Sequence, residues 1–353
     1  MWLVSARDWA SGGGATGRPG RRAAGVMAAA AGLLLVAGCH VPGTSSYASG
    51  PTASGTVTVV ATPGVADAPL YIGIRDGLFR QVGLTVHVVS TESVRSELAA
   101  LASGSANIAF ADYADMFYAQ ERSPAAGHLE IVANGYDAAP NTVEVLTLPR
   151  GPGSITSPAG LKNEVIGTPE PQLMAPGQAK PYSLETVAAW SVLSTDNVNP
   201  HSITWRPMPA SSLINALQSR QVDAILATEP TIYQAESRAG AIPLLDVASG
   251  ATANLPLAGY FTTASYVRHD PKVLDACRAA LLKAQADGTM SGPVQTALTR
   301  NAHMDSQTAS LVTLGTYPTS LQPADLKMVA GMMFTFNMLP SGTLTVSSMI
   351  PKG

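Results

Sequence analysis

Apolar positions in this chain follow two rhythms that alternate from about residue 56 onward. Short, nearly continuous runs of β-branched and aliphatic residues read as buried strands: "TVTVVA" (56–61), "LTVHVVS" (84–90), "NIAFA" (107–111), "LEIVAN" (129–134) and "TVEVLTL" (142–148). The series continues with "NEVIGT" (163–168), "SITWR" (202–206), "VDAILAT" (222–228), "IPLLDV" (242–247) and "AGYFTT" (258–263). Between them, apolar residues recur at helical spacing near 69–80, 93–103, 112–121, 182–195, 211–220 and 229–238. From Pro271 the helical rhythm holds alone, near 271–287, 292–302, 305–315 and 322–338. Strands alternating with helices predict an α/β chain with mostly parallel sheets covered on both faces.

One internal echo divides the body. "SELAALASGSANIAFAD" (96–112) aligns with "SLINALQSRQVDAILAT" (212–228) at a constant offset of 116, with Ser96/Ser212, Ala100/Ala216, Leu101/Leu217, Ser103/Ser219 and Ala111/Ala227 identical. Each copy reads as amphipathic helix, polar turn and buried strand, so the same unit is expected once in each of two α/β lobes. Ligands of open α/β sheets bind beyond the carboxyl ends of the strands. The residues just past these strands are Asp112–Tyr113 and Thr228–Glu229.

The stretch "TPGVADAPLYIGIRDGLF" (62–79) follows the first strand. Gly64 permits a sharp turn. Asp67 is expected to cap a helix and Pro69 to occupy its first turn. Leu70, Ile74 and Leu78 form its buried stripe. The free N–H groups of such a helix start suit a polar ligand.

Composition changes this picture at the N-terminus. The 353-residue chain carries a formal charge of −3 and only 13% charged residues, which gives no electrostatic case for nucleic acid. "RPGRRAAGVMAAAAGLLLVAGC" sets Arg18, Arg21 and Arg22 before a short apolar run that closes on Ala37, Gly38 and Cys39. A basic region followed by a short apolar region is a secretory signal rather than a fold element. In register with the small pair and the Cys it resembles a bacterial lipoprotein signal over 1–38, with Cys39 acylated as the first mature residue. Residues 39–55, rich in Ser, Thr, Gly and Pro, read as a flexible tether. Cys277, at helical spacing from Val273, Ala280 and Leu281, reads as a small buried hydrophobe.

Taken together, "APLYIGIRDGLFRQVGLTV", "LASGSANIAFADY", "RQVDAILATEP" and "GYFTT" are similar to the solute-binding proteins of ABC importers for sulfonates, nitrate, taurine and thiamine-precursor pyrimidines. The similarity runs from about Thr56 to Asn337. It implies the type 2 periplasmic-binding-protein fold: two α/β lobes, 56–146 plus 255–353 and 147–254, joined by two hinge crossings around a ligand cleft. It further implies an extracytoplasmic, monomeric protein held at the membrane only by the lipid on Cys39. The implied partners are a small solute and the permease and ATPase subunits, with no nucleic acid and no cofactor. Ligand contacts are implied at Asp67, Pro69 and Leu70, at Glu92 and Ser93, and at Asp112, Tyr113 and Tyr136. In the second lobe they are implied at Thr168, Tyr182 and Glu229. Asp67, Ser93 and Asp112 have a plain alternative as helix caps, and Tyr113 as core.

This set holds Glu92, Asp112 and Glu229 but few cations, Arg206 being the best basic candidate. Such a cleft suits a neutral or cationic heterocycle, an aminopyrimidine for example, better than a sulfonate or nitrate, which wants Arg or several N–H donors. An enzyme of the same fold that builds the thiamine pyrimidine uses a Cys-rich iron motif. This chain has two cysteines, and His87, His128, His201, His269 and His303 show no ligand spacing. Neither catalysis nor a metal is expected. A surface scaffold without ligand is the remaining alternative.

Overall fold

All ten apolar runs form strands in a computed structural model of the chain. It describes residues 53–351 apart from 92, 123–127, 150, 152–153, 171–172, 174–181 and 340–343. The signal segment, Cys39, most of the tether and Glu92 lie outside the described residues. The first sheet holds β1 (Gly55–Ala61), β2 (Leu84–Ser90), β3 (Ile108–Asp112), β4 (Leu129–Asp137) and β10 (Pro256–Thr263), in the order β2-β1-β3-β10-β4. The second holds β5 (Val143–Thr147), β6 (Val165–Pro169), β7 (Thr204–Met208), β8 (Ala224–Thr228) and β9 (Ile242–Asp246), in the order β7-β6-β8-β5-β9. In the first, β1 is parallel to β2 and β3, while β10 is antiparallel to β3 and β4. In the second, β6 is parallel to β7 and β8, while β5 is antiparallel to β8 and β9. The two sheets share one topology, with β3 matching β8 and β10 matching β5.

The chain crosses between sheets after β4 and returns before β10. The crossings are tied at both ends: the Ala138 N–H donates to the Leu255 carbonyl at 2.8 Å, and the Val247 N–H to the Val143 carbonyl at 2.8 Å. Two short connections bonded to each other are the hinge crossings between the sheets.

Helices α1 (Ala68–Arg75), α2 (Leu78–Gln81), α3 (Val94–Ser103), α4 (Tyr113–Arg122), α5 (Leu184–Thr195), α6 (Ala210–Gln218) and α7 (Thr231–Ala239) connect the strands. The single helix expected over 69–80 is broken in two. Gly77 takes φ +71°, a left-handed conformation that costs glycine little and ends the first helix. Of the expected stripe, Leu70 is fully buried and Leu78 nearly so, each worth about 1.5–3 kcal/mol against exposure, but Ile74 is only half-buried and Ile72 is the fully buried residue between them. The C-terminal series is α8 (Ala264–His269), α9 (Pro271–Asp287), α10 (Ser291–Asn301), α11 (Ser306–Leu311) and α12 (Pro323–Thr335). α8 was not foreseen, being too short to show a period; Thr263 caps it by accepting from the Tyr266 N–H. α11 stops at Leu311, short of the expected 315, and α12 packs on both α4 and α5.

The echo is repeated in hydrogen bonds as well as in sequence. The Asn107 side chain accepts from the Thr58 N–H at 2.8 Å, and Asp223, 116 residues on, accepts from the Val165 N–H at 3.0 Å. The Asn107 carbonyl accepts from the Thr262 hydroxyl, and the Asp223 carbonyl from the Thr147 hydroxyl. Each copy leaves its helix through a left-handed residue, Gly104 at φ +74° and Arg220 at φ +61°.

Candidate functional site

The carboxyl ends of the parallel strands in both sheets are followed by the segments read from sequence as ligand contacts. They divide into groups that pack, groups that brace the hinge side, and groups that meet as charges.

Pro69, Leu70 and Tyr113 pack. Pro69 is buried, its ring close to Gly288, and Leu70 has no exposure. Tyr113 lies between Phe117 and Phe261 with ring centroids at 5.6 and 5.4 Å, and its hydroxyl donates to the Asn134 side chain at 3.0 Å. It sits so close over Gly259 that an added Cβ there would stand 2.5 Å from its hydroxyl. The plain reading of Tyr113 as core is what the structure shows. Ser93 caps α3 by accepting from the Ser96 N–H at 3.3 Å. In the second lobe, Tyr182 packs on Trp190 at 4.5 Å, and Trp190 meets Phe336 just beyond α12 at 5.3 Å.

Asp67 does not cap α1 through its side chain. Its carboxylate turns back, one oxygen accepting from the Gly64 N–H at 2.7 Å, while Oδ2 has no hydrogen-bond partner. The Tyr71 hydroxyl acts on the Asp67 carboxyl and opposes the rise of its pKa. Burial pushes the Asp67 carboxyl up to about 7, with the Gly64 bond opposing. Thr168, at the end of β6, is fully buried with an unpartnered hydroxyl.

Tyr136 and Glu229 brace the hinge side. The Tyr136 hydroxyl accepts from the Gly315 N–H at 2.7 Å, and its ring meets Tyr317 at 5.4 Å. Both Glu229 oxygens are engaged: Oε2 accepts from the Tyr233 N–H at 3.1 Å and Oε1 from the Thr313 N–H at 2.9 Å. The segment 313–317 thus ties the end of β8 to β4, and the Tyr317 hydroxyl continues the tie to the Val65 carbonyl at 2.7 Å.

Asp112 meets other carboxylates. It ends β3 with an exposed side chain. Burial raises its pKa well above the usual carboxylate range, and Glu185, Asp115 and Glu97 add like charge. Glu185 belongs to the first turn of α5, in the second lobe. Among the carboxylates that add like charge at Asp112, Glu185 is the one from the second lobe. The lobes also touch directly, since Asp115 accepts from the Leu173 N–H, in the segment after β6, at 3.1 Å. Glu97 accepts from the Thr91 hydroxyl at 2.9 Å through Oε1, while Oε2 has no hydrogen-bond partner. Burial lifts its pKa to about 7, the Thr91 bond opposing and Asp115 adding.

Sequence reasoning missed Glu97, Asp115 and Glu185. Asp112 and Asp115 do carry a signal, a three-residue spacing that puts both over one turn. Glu97 and Glu185 carry none beyond lying in a first turn. Arg206 does not serve the cleft: its guanidinium donates to the Gln221 carbonyl at 2.6 Å, ahead of β8 and so at the opposite end of the strands. Among the described residues, no group of three or more His, Cys, Asp or Glu is disposed to hold a metal ion. No described helix is long and apolar enough to cross a membrane.

The model of the NMT1/THI5-like family matches residues 66–295, well over half of the chain. No curated protein matches the sequence. Among solved structures, the chain is similar to the periplasmic aliphatic sulphonate binding protein SsuA from Escherichia coli, with TM-score 0.67 and 15% identity over 84% of this chain and 98% of that one. It is also similar to the periplasmic nitrate-binding protein NrtA from Synechocystis PCC 6803, with TM-score 0.61 and 13% identity over 83% and 84%. A third is the Candida albicans CA3427 gene product, described as having the generic periplasmic binding protein fold, with TM-score 0.61 and 12% identity over 84% and 96%. The fold is that of the periplasmic binding proteins, and the chain belongs to the NMT1/THI5-like family.

Proposed function

From this membership we propose that the protein is the solute receptor of an ABC importer, closing its lobes on a small polar molecule and delivering it to a permease. The observation that carries the reading is the paired architecture: two sheets of one topology, joined by two crossings that are bonded to each other. We assign the receptor to the outer side of the cell membrane, held by a lipid on Cys39, with no catalytic role. Asp112 and Thr168 are the strongest candidates for direct contact. Asp67, Ser93, Tyr136, Tyr182 and Glu229 support the site from behind, and Pro69, Leu70 and Tyr113 do so through packing. The ligand class has two readings. The acid-rich cleft favours a neutral or cationic heterocycle such as an aminopyrimidine. The likeness to sulphonate- and nitrate-binding proteins favours an anion at least as well. A receptor gains thermal stability with the solute it closes on, and small-angle scattering reads the closure. A screen of neutral, cationic and anionic metabolites that moves neither melting nor scattering would leave a scaffold as the better account. Mass spectrometry of the mature N-terminus tests the lipid on Cys39.

A further inference from the structure

Beyond β10 the chain passes from one lobe to the other and back. α10 packs on α1 of the first lobe, α11 packs on α10 and on α7 of the second, and residues 313–317 then return across the hinge. Three sets of bonds hold this return, and they differ in burial. At the first-lobe end the Tyr317 hydroxyl donates to the Val65 carbonyl at 2.7 Å, a buried bond to the turn between β1 and α1. At the hinge the Gly315 N–H donates to the half-buried Tyr136 hydroxyl at 2.7 Å, and Asp137 and Thr316 exchange two backbone bonds of 3.0 Å. Gly315 lies so close that an added Cβ would collide with the Asp137 carbonyl oxygen and the Tyr136 ring. At the second-lobe end the Thr313 N–H donates to Glu229 Oε1 at 2.9 Å, and this bond is exposed. Water competes for an exposed hydrogen bond far more than for a buried one, so the return is seated on the first lobe and only hooked on the second. Its length then matters. The four peptide steps from 313 to 317 reach at most about 14 Å. Val65 and Glu229 lie beyond the carboxyl ends of β1 and β8, on the rims of opposite lobes. While both end bonds hold, rotation about the two crossings cannot carry those rims far apart, and opening breaks the exposed end first.

Resting on the hinged-receptor reading above, we infer that residues 313–317 form a strap that holds the lobes together and releases at Glu229 when the cleft opens. Thr313→Pro deletes the donor, and Val312 already has the extended backbone that a residue before proline needs, at φ −60° and ψ 137°. Glu229→Gln weakens the acceptor from the other side. The readout is the distance between spin labels on Lys272→Cys and Gln218→Cys, exposed positions of the first and second lobe, in the full chain carrying Cys39→Ser, with Cys277 buried. Each strap variant should raise the ratio of long to short distances roughly threefold to tenfold, the worth of one hydrogen bond. Tyr317→Phe removes a bond at the seated end; it should lower the melting temperature and leave the distances unchanged. In the wild type the Thr313 amide should exchange hydrogen faster than those of Gly315 and Thr316. Circular dichroism checks folding, and if Thr313→Pro does not fold, Glu229→Gln and the amide exchange decide. The inference is overturned if the strap variants leave the distances unchanged, if Tyr317→Phe opens the lobes as much as they do, or if the three amides exchange alike. Melting with ethanesulfonate, nitrate and cytosine separates this from the receptor reading. A rise with any of them, and distances that no variant moves, keep the receptor and remove the strap. No rise, and strap variants that open the lobes, keep the strap and count against the receptor.

Discussion

The two copies of the helix–turn–strand unit agree closely up to the end of their strands and diverge at the next residue. Asn107 and Asp223 each accept the N–H of a neighbouring strand, and each carbonyl accepts from a threonine of the matching antiparallel strand. Tyr113 and Glu229 occupy the equivalent next position. Tyr113 is sealed in the first core under Phe261, whereas Glu229 reaches out to the Thr313 N–H. The ladder constrains whatever lies within it, because every buried N–H and C=O needs a partner. One residue beyond, that demand ends, and each lobe uses the position differently: one to stiffen its core, the other to hold the C-terminal segment against the hinge.

The largest effect is expected with pH. Burial lifts Asp67 and Glu97 on the cleft side of the first lobe, together with Asp137 and Glu144, to about 7. Their unfolded values are near 4, so between about 4 and 7 the native state binds more protons than the unfolded one. Stability is therefore greatest at the acid end of that window and falls as pH rises through 7. Melting should occur at lower temperature at pH 8 than at pH 6. Asp112→Asn combined with Glu97→Gln should flatten the profile; an unchanged slope would place the cost elsewhere.

Next in size is Tyr113→Ala, expected to cost about 3–5 kcal/mol in urea unfolding, as for other large buried aromatic side chains. The equivalent change Glu229→Ala should cost less, about 1–3 kcal/mol, and should also speed hydrogen exchange at the Thr313 amide. Equal costs at 113 and 229, or an unchanged Thr313 amide, would erase the asymmetry drawn between them. Asn107→Ala and Asp223→Ala should each cost about 1–2 kcal/mol, and by similar amounts, since each orphans a strand N–H. A large difference between the two would show that the copies are alike in geometry but not in energy. The smallest effect is expected at the turn. Arg220 holds the left-handed conformation that Gly104 holds in the first copy. Arg220→Gly should stabilise by about 1 kcal/mol or less, after the added chain entropy is counted.

Much of the candidate site was legible in part. The apolar runs placed every described strand within a few residues, and the echo identified Asp112 as a residue just past its strand. The same echo put Glu229 just past the equivalent strand end, where its carboxylate takes the Tyr233 and Thr313 N–H groups. Position along an element says which end of a sheet a residue occupies, but not which lobe-spanning neighbour it meets. Thr313, which takes the Glu229 carboxylate, lies 84 residues away in a segment read from sequence as helix. Asp67 looked like a cap because its neighbours read as a helix start, yet the Gly64 turn claimed its carboxylate first.

Local and nearest-neighbour physics were written in the sequence. They include the strand runs, the burial of Cys277 and the repeated unit, and together with the family motifs they lead to two α/β lobes with a cleft. Each depends on the period of side chains along one element, so a short window of sequence contains its cause. The tertiary structure alone decided which carboxylates share the cleft. Glu97 on α3, Asp115 on α4 and Glu185 on α5 add like charge at Asp112, the end of β3, and the Asp115–Leu173 contact holds the lobes in touch. Charges act through space, over distances that sequence separation does not measure, so the same carboxylate on the same helix end is a solvated cap or a cleft acid according to what folds over it.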